Sequence, residues 1–123
     1  MNIYMIHAME NLYHGLHGIE DVRILEAENK DELESLGREM SMEVMKSYGD
    51  IGETLLETAR DEAEFMGVDE YEDTDEFENI LNEEYEENVE YYIYQLSNEF
   101  TVEQYESMLN IAGAEGLLKY EVK

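Results

Sequence analysis

Val89-Glu-Tyr-Tyr-Ile-Tyr-Gln-Leu96 is the stretch on which the fold class turns. β-Branched and aromatic side chains crowd it, the composition of a half-buried pleated strand. We read it as a third strand; the alternative is that it continues the preceding helix to Asn98. Its partners lie at the start of the chain. Asn2-Ile-Tyr-Met-Ile-His-Ala-Met9 is a β-type run almost without charge. Period-two alternation puts Ile3, Met5 and His7 on one face and Tyr4, Ile6 and Ala8 on the other. Tyr13-His-Gly-Leu-His-Gly18 reads as a turn, and Asp21-Val-Arg-Ile-Leu-Glu-Ala27 as the returning strand of a hairpin.

Between these strands the apolar period becomes helical. Asn29 with Glu32 has the form of a capping box, and Leu33, Leu36, Met40, Val44 and Tyr48 follow as one stripe. The spacing predicts a first helix over 30–47, ended by Gly49. Asp50 with Glu53 repeats the cap pattern and opens a second helix over about 51–66, stopped by Gly67. Leu55, Leu56, Ala59, Ala63 and Met66 form its apolar side. Residues 68–74 read as a loop. Thr74 is the expected cap of a third helix carrying Phe77, Ile80, Leu81 and Tyr85. Thr101 with Gln104 starts a short helix to about Asn110, Gly113 and Gly116 break the chain, and 117–122 is a short strand or helical turn. The expected fold is α+β: a small antiparallel sheet of two or three strands packed against three or four helices, in a single domain spanning 1–123.

The charge is lopsided. The 123 residues hold 33 Asp and Glu against 7 Lys and Arg, a formal net charge of −26. From Ser47 to Leu118 the only basic side chain is Arg60, set against twenty-two carboxylates. Such a surface excludes ordinary phosphate-backbone binding, which needs Lys and Arg. Its natural partners are basic: a nucleic-acid-binding groove, a basic peptide or metal cations. The hydrophobic fraction of 43% is enough to build a core, and aromatics are interleaved with the acid, unlike a disordered acidic tail. There is no Cys, so disulfides and thiolate metal sites are excluded. No apolar run approaches the ~18 residues of a membrane span, and we expect a soluble, cytosolic protein with no membrane role.

Two acidic sets stand out. Glu53, Glu57, Asp61 and Glu64 follow at helical spacing and share one side of the second helix. Asp75, Glu76, Glu78, Glu83, Glu84, Glu86, Glu87 and Glu90 crowd the third, about one carboxylate per ~3 Å of axis against one phosphate per ~3.4 Å of a DNA strand. The simpler reading of these rows is a solvated face that keeps the protein in solution. Among the aromatics of the region (Tyr71, Phe77, Tyr85, Tyr91, Tyr92, Tyr94 and Tyr105) we assign Phe77 and Tyr85, with Ile93, to the core. Tyr71 and Tyr92 are the candidate contact residues.

Catalytic signals are missing. There is no Gly-rich phosphate loop, Gly-x-Ser-x-Gly elbow or His-Glu-x-x-His helix, and carboxylate pairs are expected by chance in so acidic a chain. We expect no enzyme and no cofactor. His14 and His17, with His7 nearby, lack a third ligand fixed by spacing, so no metal site is assigned. Asp69–Ile80 fails the EF-hand pattern, with Tyr71, Thr74 and Ile80 at its third, sixth and twelfth positions.

Tyr48-Gly-Asp-Ile-Gly-Glu-Thr-Leu-Leu56, Phe65-Met-Gly-Val-Asp-Glu-Tyr-Glu-Asp73 and Thr74-Asp-Glu-Phe-Glu-Asn-Ile-Leu81 together resemble the acidic helical region of the Ocr-type phage anti-restriction proteins. The wider class is the small, very acidic, phage-encoded inhibitors of bacterial defence, some anti-CRISPR proteins among them. The resemblance covers about residues 47–97 and rests on composition and element order. It implies a nucleic-acid mimic that occupies the basic channel of a restriction enzyme or Cas effector in the host bacterial cytoplasm. It also implies that the chain binds no nucleic acid itself and can act as a homodimer. Carried onto this chain, the mimicking carboxylates are Glu53, Glu57, Asp61, Glu64, Asp75, Glu76, Glu83, Glu84, Glu86 and Glu87. The alternative is an acidic interaction or regulatory module whose partner is a basic transcription or nucleoid protein.

Overall fold

A computed structural model of the chain describes residues 1–12 and 20–123. Three strands form one antiparallel sheet: β1 (Asn2–Glu10), β2 (Asp21–Ala27) and β3 (Val89–Leu96). Among the described residues there are four α-helices: α1 (Glu34–Ser47), α2 (Gly49–Met66), α3 (Thr74–Glu87) and α4 (Val102–Leu117). The fold is therefore α+β, and Val89–Leu96 is a strand. Strand order is β2-β1-β3, so the first strand is central. Ile6 lies opposite Arg23 on one side and Ile93 on the other.

A central strand has two faces to bury, and its alternation supplies both. Tyr4, Ile6 and Ala8 join Ala27, Leu33, Met40 and Ile93 beneath α1. Ile3 and Met5 join Ile24, Leu96, Tyr105, Ala114 and Leu117 beneath α4. One hydroxyl locks α1 to the sheet. Ser41, fully buried, donates to the Met9 carbonyl at 2.5 Å and accepts from the Glu90 N–H at 3.0 Å, bridging β1 and β3 where their ladder ends. Tyr105 is also fully buried, which sequence reading did not place in the core. Its hydroxyl reaches Ser97 Oγ at 2.9 Å and the Ser97 carbonyl at 2.7 Å, and its ring packs edge-on against Phe100 and Tyr120. A buried phenol needs a partner for its O–H, and this turn provides it.

The helical hairpin of α2 and α3 hangs on the outer side of α1. Ala59, Ala63, Phe77 and Ile80 hold its two helices together, while Met45, Ile51 and Leu55, with Tyr85 beside them, hold it to α1.

Several boundaries differ from the sequence expectation. Gly49 opens α2 and does not end α1: Tyr48 alone is extended (φ −111, ψ 110), and its carbonyl accepts the first α2 bond from Gly52. Asp50 therefore sits inside the first turn and caps nothing. The α3 cap position belongs to Asp73, not Thr74, and the Asp73 carboxylate turns back to accept from the Asp69 N–H at 2.9 Å. At Asn29 half of the predicted box forms: Asn29 Oδ1 accepts from the Glu32 N–H, but Glu32 reaches the Glu28 N–H in place of its own cap residue, and a 3₁₀ turn over Lys30–Leu33 precedes α1. The Thr101–Gln104 box forms in both directions. Its helix runs past Asn110 to Leu117, kinked at Gly113 (φ 73, ψ 176), and Gly116 does not break it. The segment after it is a 3₁₀ turn followed by a bridge from Glu121 to Leu96. The expected turn at Tyr13–Gly18, and with it His14 and His17, lies outside the described residues.

Where α1 crosses β3, Gly37 faces the Tyr91 ring: a Cβ there would stand 2.5 Å from Tyr91 Cδ2. That ring is also held by its hydroxyl, which donates to Glu34 Oε2 at 2.6 Å. Gly37→Ala is thus expected to lower stability by about 1–3 kcal/mol in urea denaturation followed by circular dichroism. Gly52→Ala, whose nearest neighbour would be the Tyr85 hydroxyl at 3.7 Å, should instead raise it by up to ~1 kcal/mol through helix propensity.

Candidate acidic interaction surface

The buried stripe of α2 sets its rotation. Ile51, Leu55, Ala59 and Ala63 recur every fourth residue and face inward. At about 100° per residue, Glu53, Glu57, Asp61 and Glu64 fall on the opposite side, and all four are exposed. Each like-charged pair along this row opposes the helix by a few tenths of a kcal/mol, which burial of the inner stripe offsets.

On α3 the inward residues are Phe77 and Ile80. Asp75 and Glu86 point directly away from them, while Glu76, Glu83 and Glu87 run along the flank; all five are exposed. Seven carboxylates in the fourteen residues of α3 keep the expected axial density, but they spread around the helix and do not form a single line. Glu90 is not part of the series, because the helix ends at Glu87 and Glu90 belongs to β3. The loop carboxylates have backbone work: Asp69 Oδ1 accepts from the N–H groups of Tyr71 and Glu72 at 2.8 and 2.9 Å.

The two helices bring one pair of acids into direct contact. Glu84 is half-buried at the α2–α3 seam and hydrogen-bonds to Glu62, which sequence reading did not single out. Loss of hydration and the bond to Glu62 push the Glu84 carboxyl up to about 7, with the charges of Glu87 and Glu83 adding to the rise. Two carboxylates can share such a bond only while one is protonated. Beside this pair Glu62, Glu76 and Glu83, with Met66, Val68 and Ile80, line a groove of about 240 Å³.

Arg60 is taken up within the hairpin. Its guanidinium forks onto Glu70, Nε to Oε2 at 2.9 Å and Nη2 to Oε1 at 3.1 Å, and this bond raises its pKa further. Around that fork the hairpin tip is unexpectedly apolar. Phe65 is 93% exposed, Tyr71 82% and Met66 59%. Met66, assigned to the apolar side of its helix from sequence, thus faces water, because the inward stripe ends at Ala63. Phe65 lay off that stripe, which was the available signal that it projects outward.

Tyr92 is exposed as expected but stands apart from the α2–α3 carboxylates. It shares a sheet face with Tyr94 and Leu96, the side that α4 covers, whereas the hairpin packs on α1. Its hydroxyl donates to Glu90 Oε1 at 2.9 Å and its ring stacks on Tyr94. His7, on the same face, hydrogen-bonds through Nε2 to Glu20 at 2.5 Å. Among the described residues, no helix is long and apolar enough to cross a membrane. Compared with known proteins, the chain matches no family model, no curated protein and no solved structure.

The Glu84 carboxyl makes stability fall with rising pH. Folded, it keeps its proton to about pH 7, against an ordinary value of 4.5, so between these limits the native state holds more protons than the unfolded chain. The stabilisation present below pH 4.5 is lost as pH passes 7. Thermal scans at constant ionic strength should show the melting temperature dropping over this range. Glu84→Gln, which keeps a donor toward Glu62, should flatten the slope and raise stability at pH 8 by ~1 kcal/mol.

Proposed function

We propose that this chain is a stoichiometric inhibitor of a bacterial defence nuclease, a restriction enzyme or Cas effector. It acts in the host cytoplasm by occupying the enzyme's basic nucleic-acid-binding channel. The observation that carries this reading is the α2–α3 hairpin. It turns Glu53, Glu57, Asp61 and Glu64 outward from one helix and Asp75, Glu76, Glu83, Glu86 and Glu87 from the other, while its one cation, Arg60, is bound to Glu70. A channel built to neutralise phosphates presents Lys and Arg at spacings that these carboxylates can meet, and it releases counterions when they do. Inhibition by occupancy requires no catalytic step and no cofactor.

DNA-cleavage assays on a panel of purified restriction enzymes and Cas effectors test the proposal. Inhibition should weaken by at least ~10-fold between about 50 and 300 mM salt. The fourfold variant Glu53→Gln, Glu57→Gln, Asp61→Asn, Glu64→Gln should lose at least ~10-fold in potency, with its circular dichroism spectrum unchanged. Full inhibition by that variant would rule out the electrostatic mode. Capture of a transcription or nucleoid protein, with no nuclease inhibited, would assign the same surface to a basic regulatory partner.

A further inference from the structure

We infer that the tip of the α2–α3 hairpin is an arginine-selective contact point, taking an Arg-rich segment of a basic protein partner against the exposed Phe65 and Tyr71. The inference rests on the acidic-surface reading above and narrows it to one place and one side chain. Single apolar groups in water, such as Ile111 at 88% exposure, are ordinary, but here three flank one turn: Phe65 at 93%, Tyr71 at 82% and Met66 at 59%. They stand among Asp61, Glu64 and Glu72, which are also exposed.

Charge decides the occupant. An uncharged apolar partner would strip water from these carboxylates and return no pairing. A second copy of the chain would set one acidic tip against another. A cationic partner meets both the charge and the apolar surface, and of the two cations arginine fits better. Its planar guanidinium is weakly hydrated, forks onto a carboxylate and stacks on aromatic faces, whereas an ammonium holds its water. The tip already contains one example of this chemistry. Arg60 forks onto Glu70 with both bonds near 3 Å, and Arg60, Glu64, Glu70, Tyr71 and Phe77 line a recess of about 290 Å³. The start of the α2 row, at Glu53 and Glu57, has no aromatic residue between Gly49 and Glu64 to accompany it, so it offers charge without stacking.

Labelled nona-arginine and nona-lysine peptides, titrated into the full chain and followed by anisotropy at about 50 mM salt, test the inference. Nona-arginine should bind at least ~5-fold more tightly than nona-lysine. In Phe65→Ser/Tyr71→Ser, whose positions are too exposed for the change to unfold the hairpin, that ratio should fall to within about twofold while nona-lysine affinity stays within about twofold of the parent. Equal affinities in the parent chain, or a preference that survives the double substitution, would overturn the arginine-selective tip and leave the acidic-surface reading standing. Failure of both peptides to bind the parent chain would overturn the two together.

Discussion

β1 is hydrogen-bonded along both edges and covered on both faces, and the rest of the architecture follows from that enclosure. A strand so placed has no route to solvent for a charged group. Ile3, Tyr4, Met5, Ile6 and Ala8 accordingly carry none and are almost fully buried; Glu10, at the strand's end, is the one acid of β1 and is buried too. Two faces need two covers, supplied by α1 and α4, and two edges need two partners, supplied by β2 and β3. Ser41 closes the arrangement at the point where strand pairing alone would leave main-chain groups to be satisfied.

Charge excluded from this centre collects where burial demands least. The α2–α3 hairpin needs only one inward stripe per helix, with the small Ala59 and Ala63 of α2 receiving Phe77 and Ile80 of α3. Most of the circumference is then free to be acidic. The arrangement reaches its limit at Glu62 and Glu84, where two carboxylates meet at the seam and a shared proton relieves the repulsion. At the tip the pattern reverses, with apolar groups outward and the lone guanidinium clasped by Glu70.

The strands and the helical stripes were legible because period and side-chain shape are local properties. The Tyr, Ile and Val content of Val89–Leu96 favours a strand over a continued helix, and the α2 row is read from i, i+4 spacing. Helix ends were less so, because more than one residue can supply the carbonyl that starts a helix. Tyr48 took that role from Asp50, which looks the better cap, and Asp73 took it from Thr74, a neighbour of the same capping type. Tyr105 sits between Gln104 and Glu106 and reads as a surface tyrosine; only the Ser97 turn eight residues upstream reveals its buried hydroxyl bond. The acid contact of Glu62 with Glu84 and the Arg60–Glu70 fork depend on how α2 meets its neighbours, which no spacing within one helix encodes.

The position of the first strand also bears on the order of assembly. Ile3 pairs with Glu26 on one side but with Leu96 on the other, more than ninety residues further along. During synthesis the hairpin of β1 and β2 can form early, yet one edge and one face of its most apolar strand have no native cover until β3 and α4 have emerged. The acidic helices are made in that interval. Like charge of that density opposes association between chains whose central strand still lacks its last partner. The surface read above as a binding face is thus also placed, in sequence, where an unfinished sheet most needs a repulsive companion.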